Sequence, residues 1–176
     1  IYDSKDIVES TLNRYIHKAL NPKKIFNYDF IINQKQVPDL IIKNIKSDKI
    51  NKIILTGMGT CYTAGVAISN FMRGILHKTK PNILIETNIA SEGSGFYLEQ
   101  DMSDTLVIVI AQSGTTIDTN VYVKKAKSRG AFSLAIANKR EGDVTFIVDG
   151  TLYIGEGRDI EISVPSTKTY SAQVIV

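Results

Sequence analysis

The fold class that this 176-residue sequence predicts is α/β, a parallel sheet between two layers of helices in a three-layer α/β/α sandwich. Three observations carry the prediction. First, residues 106–110 form an unbroken aliphatic run, the pattern of a strand buried on both faces. Second, that run stops in Gln112-Ser113-Gly114-Thr115-Thr116 and gives way to a helical spacing of Ile117, Val121, Val123 and Ala126, which Gly130 closes. Third, the same unit occurs earlier, where a short apolar strand at 52–56 runs into Gly57-Met58-Gly59-Thr60-Cys61 and then a helix. Strands that alternate with helices of this length must lie parallel, because a crossover helix is needed to return the chain in the same direction.

Taken in order, residues 6–20 carry Val8, Leu12, Tyr15, Ile16 and Ala19 at helical spacing, and Asn21-Pro22 ends the stripe. Pro38-Asp39 opens a second helix through Leu40, Ile41, Ile42 and Ile45, with Pro38 suited to the first turn. The helix after Cys61 runs to about His77 on Ala64, Val66, Ala67, Ile68, Phe71 and Ile75. Further strands are expected at 82–87, 106–110 and 132–137. Beyond Asn138 two readings stand. Residues 144–148 and 151–155 resemble a hairpin about an Asp149-Gly150 turn; alternatively, 152–154 is the last sheet strand and 144–148 an added segment beside it. From Thr167 onward, Tyr170, Val174 and Ile175 suggest the start of a final helix.

Composition narrows the function classes. A hydrophobic content of 43% over this length fits one globular domain, with N-terminal helices over residues 1–48 and a sheet core over 49–176. The 21 basic and 18 acidic residues are dispersed and leave a net charge of only +3, which argues against nucleic acid as a partner. A single cysteine allows no internal disulfide, and with two histidines it makes a structural metal site an unpromising reading; no cofactor is expected. No apolar run approaches the roughly 20 residues of a membrane span and no signal peptide is evident, so a cytoplasmic protein without membrane contact is expected. The start at Ile1 and the end at Val176 within an apolar run suggest a piece of a longer chain.

In open α/β sheets a ligand sits beyond the carboxyl ends of the strands, near the point where strand order reverses. Both small-residue loops occupy such ends. Helix-start N–H groups, the positive end of the helix dipole and the hydroxyls of Ser113, Thr115 and Thr116 together favour an anion, above all a phosphate. A third polar turn, Ser163-Val164-Pro165-Ser166-Thr167-Lys168, precedes the last helix. Each turn alone is what a helix cap requires, since Ser and Thr are preferred there. Three together are harder to explain as capping.

These residues carry a resemblance. G-M-G-T-C-Y-T-A-G, I-A-S-E, A-Q-S-G-T-T-I-D-T and E-I-S-V-P-S-T-K-T-Y, in this order and spacing, resemble the sugar isomerase (SIS) domain, most closely the first of the two SIS domains in glutamine–fructose-6-phosphate aminotransferases. The opening I-Y-D-S-K-D is similar to the start of the isomerase half of that family. The resemblance implies a five-stranded parallel sheet of flavodoxin-like type and a site for a phosphorylated sugar, a hexose 6-phosphate such as fructose 6-phosphate. It places Gly59, Thr60 and Cys61 in the first loop and Gln112, Ser113, Gly114, Thr115 and Thr116 in the second, around phosphate and sugar hydroxyls, with Val164 and Ser166 lining the sugar. Four positions depart from the pattern. Cys61 stands where Ser is common, Ala111 where Ser is frequent, Thr115 where Glu is usual, and Pro165 where a small residue is usual.

In that family the acid, base and lysine roles of isomerisation fall mainly outside this domain, in a second SIS domain, a C-terminal tail and a neighbouring subunit, so no catalytic residue is assigned here. Glu161, which matches an acidic position before the third turn, is the best local carboxylate but reads first as a solvated glutamate. Glu92 faces the site or serves capping and loop ordering, and Lys168 approaches a ligand or is a solvated lysine of a first helical turn. His17 and His77 fall on expected helices, His77 near a helix end where the dipole favours a cation. The resemblance implies a second SIS domain or a homodimer partner. Its alternatives are a phosphosugar-sensing regulatory module without catalysis and a related deglycase or aldose–ketose isomerase.

Overall fold

The computed structural model describes residues 3–18, 28–155 and 165–176. The chain opens with α1 (Asp3–Tyr15) and a small antiparallel pair, β1 (Ile16–Lys18) and β2 (Tyr28–Phe30). There follow α2 (Asp39–Lys46), β3 (Lys52–Gly57), α3 (Thr60–Thr79), β4 (Leu84–Ile89), α4 (Ala90–Phe96), β5 (Thr105–Ala111) and α5 (Ile117–Ser128). The last elements are β6 (Phe132–Ala137), α6 (Asp143–Ile147), β7 (Gly150–Tyr153) and α7 (Pro165–Ile175). Five strands pair in parallel in the order β4-β3-β5-β6-β7. The chain therefore leaves β3 toward one edge and returns on its other side at β5, and the reversal of strand order falls between those two strands.

Side-chain alternation along the strands sorts the helices into two layers. Leu106, Ile108 and Ile110 of β5 share one core with Ile53 and Leu55 of β3, and on it lie Ile7 of α1, Ile41 of α2, Ala64 of α3 and Ala172 of α7. The opposite faces, Ile54 and Val107, pack against Ala90 of α4 and against Tyr122 and Ala126 of α5. Val109 and Ala135 pack with Val123 of α5 and Val144 of α6. Strands buried on both sides explain the continuous apolar run at 106–110, which an amphipathic surface strand would not show.

Several expectations are corrected. The first helix stops at Tyr15, and Ile16 and His17 belong to a strand instead. Tyr15 ends the helix because its hydroxyl donates to the Tyr153 carbonyl (2.8 Å) while its own carbonyl accepts the Ile31 N–H (3.0 Å), which draws the chain into a strand pair. The strand expected at 82–87 runs two residues later, over Leu84–Ile89. The hairpin about Asp149-Gly150 does not form. Residues 143–147 are a helical turn, Gly150–Tyr153 pairs in parallel with β6, and the Asp149 carboxylate accepts from the Ser133 N–H (2.8 Å) and hydroxyl (2.9 Å) instead of serving a tight turn. Of the two readings, the one with a last sheet strand near 152–154 holds, though the segment beside it is helical over Asp143–Ile147. Helix α4, rich in glycine and serine, gave no apolar period from which to read it.

Candidate functional site

The first loop follows β3. Gly57 lets the chain turn under the end of β5, since a Cβ there would meet the Ile110 carbonyl oxygen at 2.9 Å. Gly59 sits at φ 54°, the left-handed region that favours glycine, and starts α3 with no side-chain cap. No side chain therefore caps the first-turn N–H groups of this 20-residue helix, although the Cys61 N–H donates to the Met58 carbonyl (3.1 Å). Thr60 is half-buried and Cys61 buried at 5% exposure.

Cys61 does not face the mouth as a free thiol. Its Sγ receives the Gln173 side-chain Nε2–H (3.3 Å) and a backbone hydrogen bond from Gln112, and burial raises its pKa above the ordinary thiol value. It is thus a neutral thiol at the floor of the site. Gln173 is fully buried on α7, and no sequence pattern drew attention to it.

The second loop follows β5 and is clamped from outside by the segment after β6. The Gln112 carbonyl accepts the Lys139 N–H (3.0 Å), and the Gly114 carbonyl accepts the Val144 N–H (2.9 Å) and the Asn120 side-chain amide (3.3 Å). Gly114 has φ 72° and lies against Gly142, where backbone meets backbone. The hydroxyls are then free to turn inward on each other. Ser113 Oγ and Thr115 Oγ1 are 3.0 Å apart, and Ser113 Oγ also accepts the Thr115 N–H at 3.3 Å. Thr116 is the N-cap of α5 and makes no side-chain cap bond. The structure thus brings together Gly59, Thr60, Cys61, Gln112, Ser113, Gly114, Thr115 and Thr116 at the ends of β3 and β5, with two uncapped helix starts converging there.

The third turn is only partly placed. Ser166 lies in the first turn of α7, whose body packs against α3, while Val164 and Glu161 fall outside the described residues. Glu92 stands in the first turn of α4 and lines an open groove of about 710 Å³ along the β4 edge, together with Lys52, Arg73, Glu86 and Tyr97. His77 is in the last turn of α3, as expected. Neither loop contains a carboxylate, imidazole or amine. Their chemistry is that of hydrogen-bond donation to an anion, with no group suited to proton transfer near neutral pH. Among the described residues no cluster of His, Cys, Asp and Glu could hold a metal, and no helix is long and apolar enough to cross a membrane.

Comparison with known proteins adds the lineage. The SIS domain family model matches residues 48–176. Glutamine–fructose-6-phosphate aminotransferase [isomerizing] of Fusobacterium nucleatum is 36% identical over 177 aligned positions, covering all of this chain and 25% of that protein. The enzyme of the same name from Methanococcus maripaludis is 34% identical, over 97% of this chain and 27% of that protein. The chain thus spans about a quarter of the curated relatives it matches. Among solved structures, the C-terminal domain of glucosamine-fructose-6-phosphate aminotransferase from Francisella tularensis superposes with a TM-score of 0.72 at 20% identity, over 99% of this chain and 43% of that one. The sugar isomerase domain of an RpiR transcription factor from Sphaerobacter thermophilus gives 0.61 at 14% identity, over 99% and 83%. At these identities the two structures speak to the fold alone.

Proposed function

We infer the function from one premise: this chain belongs to the SIS domain family. It binds a phosphorylated sugar across the ends of β3 and β5, and it serves as the phosphate- and sugar-holding SIS domain of an aminotransferase-type sugar-phosphate isomerase acting on fructose 6-phosphate or a related hexose phosphate. The observation that carries this reading is the pair of uncapped helix starts meeting beside the Ser113, Thr115 and Thr116 hydroxyls. Two positive dipole ends and several N–H donors suit a dianion, while a neutral ligand would gain little from them. The naming of the 36%-identical relative supports the choice of hexose phosphate.

The division of labour follows from the loops' composition. With no acid or base in them, the phosphate is anchored here and proton transfer at C1 and C2 falls to groups from a second SIS domain or a partner subunit. A competing reading, a phosphosugar-sensing module, draws on Thr115, whose hydroxyl is turned onto Ser113 where the resemblance leads one to expect a carboxylate. Isomerase activity of the full-length protein with fructose 6-phosphate separates the two: turnover excludes a pure sensor, and tight binding without turnover excludes the enzyme.

Calorimetric titration with fructose 6-phosphate, glucosamine 6-phosphate, unphosphorylated fructose and inorganic phosphate tests the binding itself. Sugar phosphates should bind and free fructose should not. Ser113→Ala should weaken fructose 6-phosphate by about 1.5–3 kcal/mol, the range for a hydrogen bond to a charged group, with the unfolding midpoint little changed. Equal affinity in the wild type and the variant would remove Ser113 from the cradle.

A further inference from the structure

We propose that Gln173 is a positioning residue for the anion-binding loops, acting from α7 through the sulfur of Cys61. This rests on the reading of the site given above. Three segments far apart in sequence meet at one atom: Cys61 Sγ lies in the first turn of α3, receives the Gln173 Nε2–H at 3.3 Å, and receives a backbone hydrogen bond from Gln112 of the second loop. Both loops of the site and the helix that follows the third turn are thereby fastened to a single point. The close approach of β3, β5 and α3 leaves little freedom around it, since a Cβ on Gly57 would lie 2.9 Å from the Ile110 carbonyl oxygen and 3.1 Å from Cys61 Cβ.

The alternative, that Gln173 is a core residue kept for its volume, fits poorly. The side chain is fully buried, yet its Oε1 has no hydrogen-bond partner among the described residues. A methionine or leucine would fill the same space without leaving a buried carbonyl oxygen unsatisfied. An amide whose oxygen has no partner among the described residues is explained by what its nitrogen holds. A sulfur acceptor bonds weakly, so the contact aligns the loops more than it stabilises the fold.

The test is a cycle of Gln173→Met, Cys61→Ala and the double variant, with fructose 6-phosphate and inorganic phosphate as calorimetric probes and thermal unfolding measured without ligand. Gln173→Met should keep or raise the melting temperature while fructose 6-phosphate affinity falls roughly ten-fold, the size expected of coupling through packed neighbours. In the Cys61→Ala background the same substitution should have no further effect on affinity. Unchanged affinity in Gln173→Met, or losses that simply add in the double variant, would overturn the proposal while leaving the phosphosugar site standing. Wild-type protein that binds neither probe would overturn both. Should Gln173→Met fail to fold, Cys61→Ala alone decides, because it leaves α7 unaltered: undiminished affinity there also refutes the role.

Discussion

Gly142→Ala should cost about 3 kcal/mol of stability, the upper part of the range for overpacking, and should weaken fructose 6-phosphate in the protein that remains folded. An added Cβ would press on the Ser113 carbonyl oxygen and lie 2.8 Å from Gly114 Cα. Both neighbours are backbone, so no side chain can swing aside to relieve the contact. The strain must move the second loop, and the Val144 N–H that holds the Gly114 carbonyl (2.9 Å) would be drawn off with it. Chemical denaturation read beside titration checks this. An unchanged midpoint would show that the loops after β5 and β6 can separate freely, and the second loop would then lack the rigidity a preorganised anion site needs.

Tyr122→Ala should be the most damaging core change, at about 3–5 kcal/mol, the cost of truncating a large buried aromatic. The ring is fully buried between the sheet and α4, against Gly93, where any Cβ would strike the Tyr122 ring and come within 2.7 Å of Asn88 Oδ1. Its hydroxyl accepts the Asn88 side-chain amide at 3.1 Å. Tyr122→Phe keeps the ring and isolates the hydroxyl's titration. Burial pushes the phenol up to about 12 from 10.0, so its contribution to stability is whole below pH 10 and is lost as pH rises from 10 toward 12. Two units at 1.36 kcal/mol each make the loss on the order of 2–3 kcal/mol. Wild type should therefore lose stability across that window more steeply than Tyr122→Phe, and parallel alkaline limbs would contradict the assignment.

What the sequence disclosed followed from period and length. The run at 106–110 and the strand at 132–137 were legible because a strand buried on both faces needs nothing but apolar residues, and the loops that follow were legible because their small polar residues break that run abruptly. Residues 144–148 misled for the same reason. V-T-F-I-V has strand composition, but Gly142 and the Val144 N–H tether the segment to Gly114, and five residues held at one end make a helical turn more readily than an edge strand. Helix α4 was invisible because Gly93 is there to admit the Tyr122 ring, a requirement set by a residue 29 positions away. Within the site, the hydroxyl and glycine positions could be listed from the motifs, whereas the roles of Gln173, Asn120 and Lys139 could not. Gln173 and Lys139 act through bonds to residues distant in sequence, and Asn120 through an amide bond back to Gly114 six residues earlier, none of which leaves a periodic pattern.

On β4, one outer strand of the sheet, an outward-facing carbonyl is occupied by a charged side chain. The Leu84 N–H donates inward to the Asn51 carbonyl (2.8 Å), so the neighbouring Ile85 carbonyl points away from β3, toward the position a further strand would occupy. It is already taken. Arg73 reaches across from α3 and donates to that oxygen from Nε (3.2 Å) and Nη2 (2.7 Å), and its Nη1 is steadied by Asn70 (3.0 Å). A foreign strand seeking to bond at that carbonyl would have to displace a guanidinium held by two charge-assisted hydrogen bonds. At this rung of β4 the place of a further strand is filled by an arginine from the neighbouring helix.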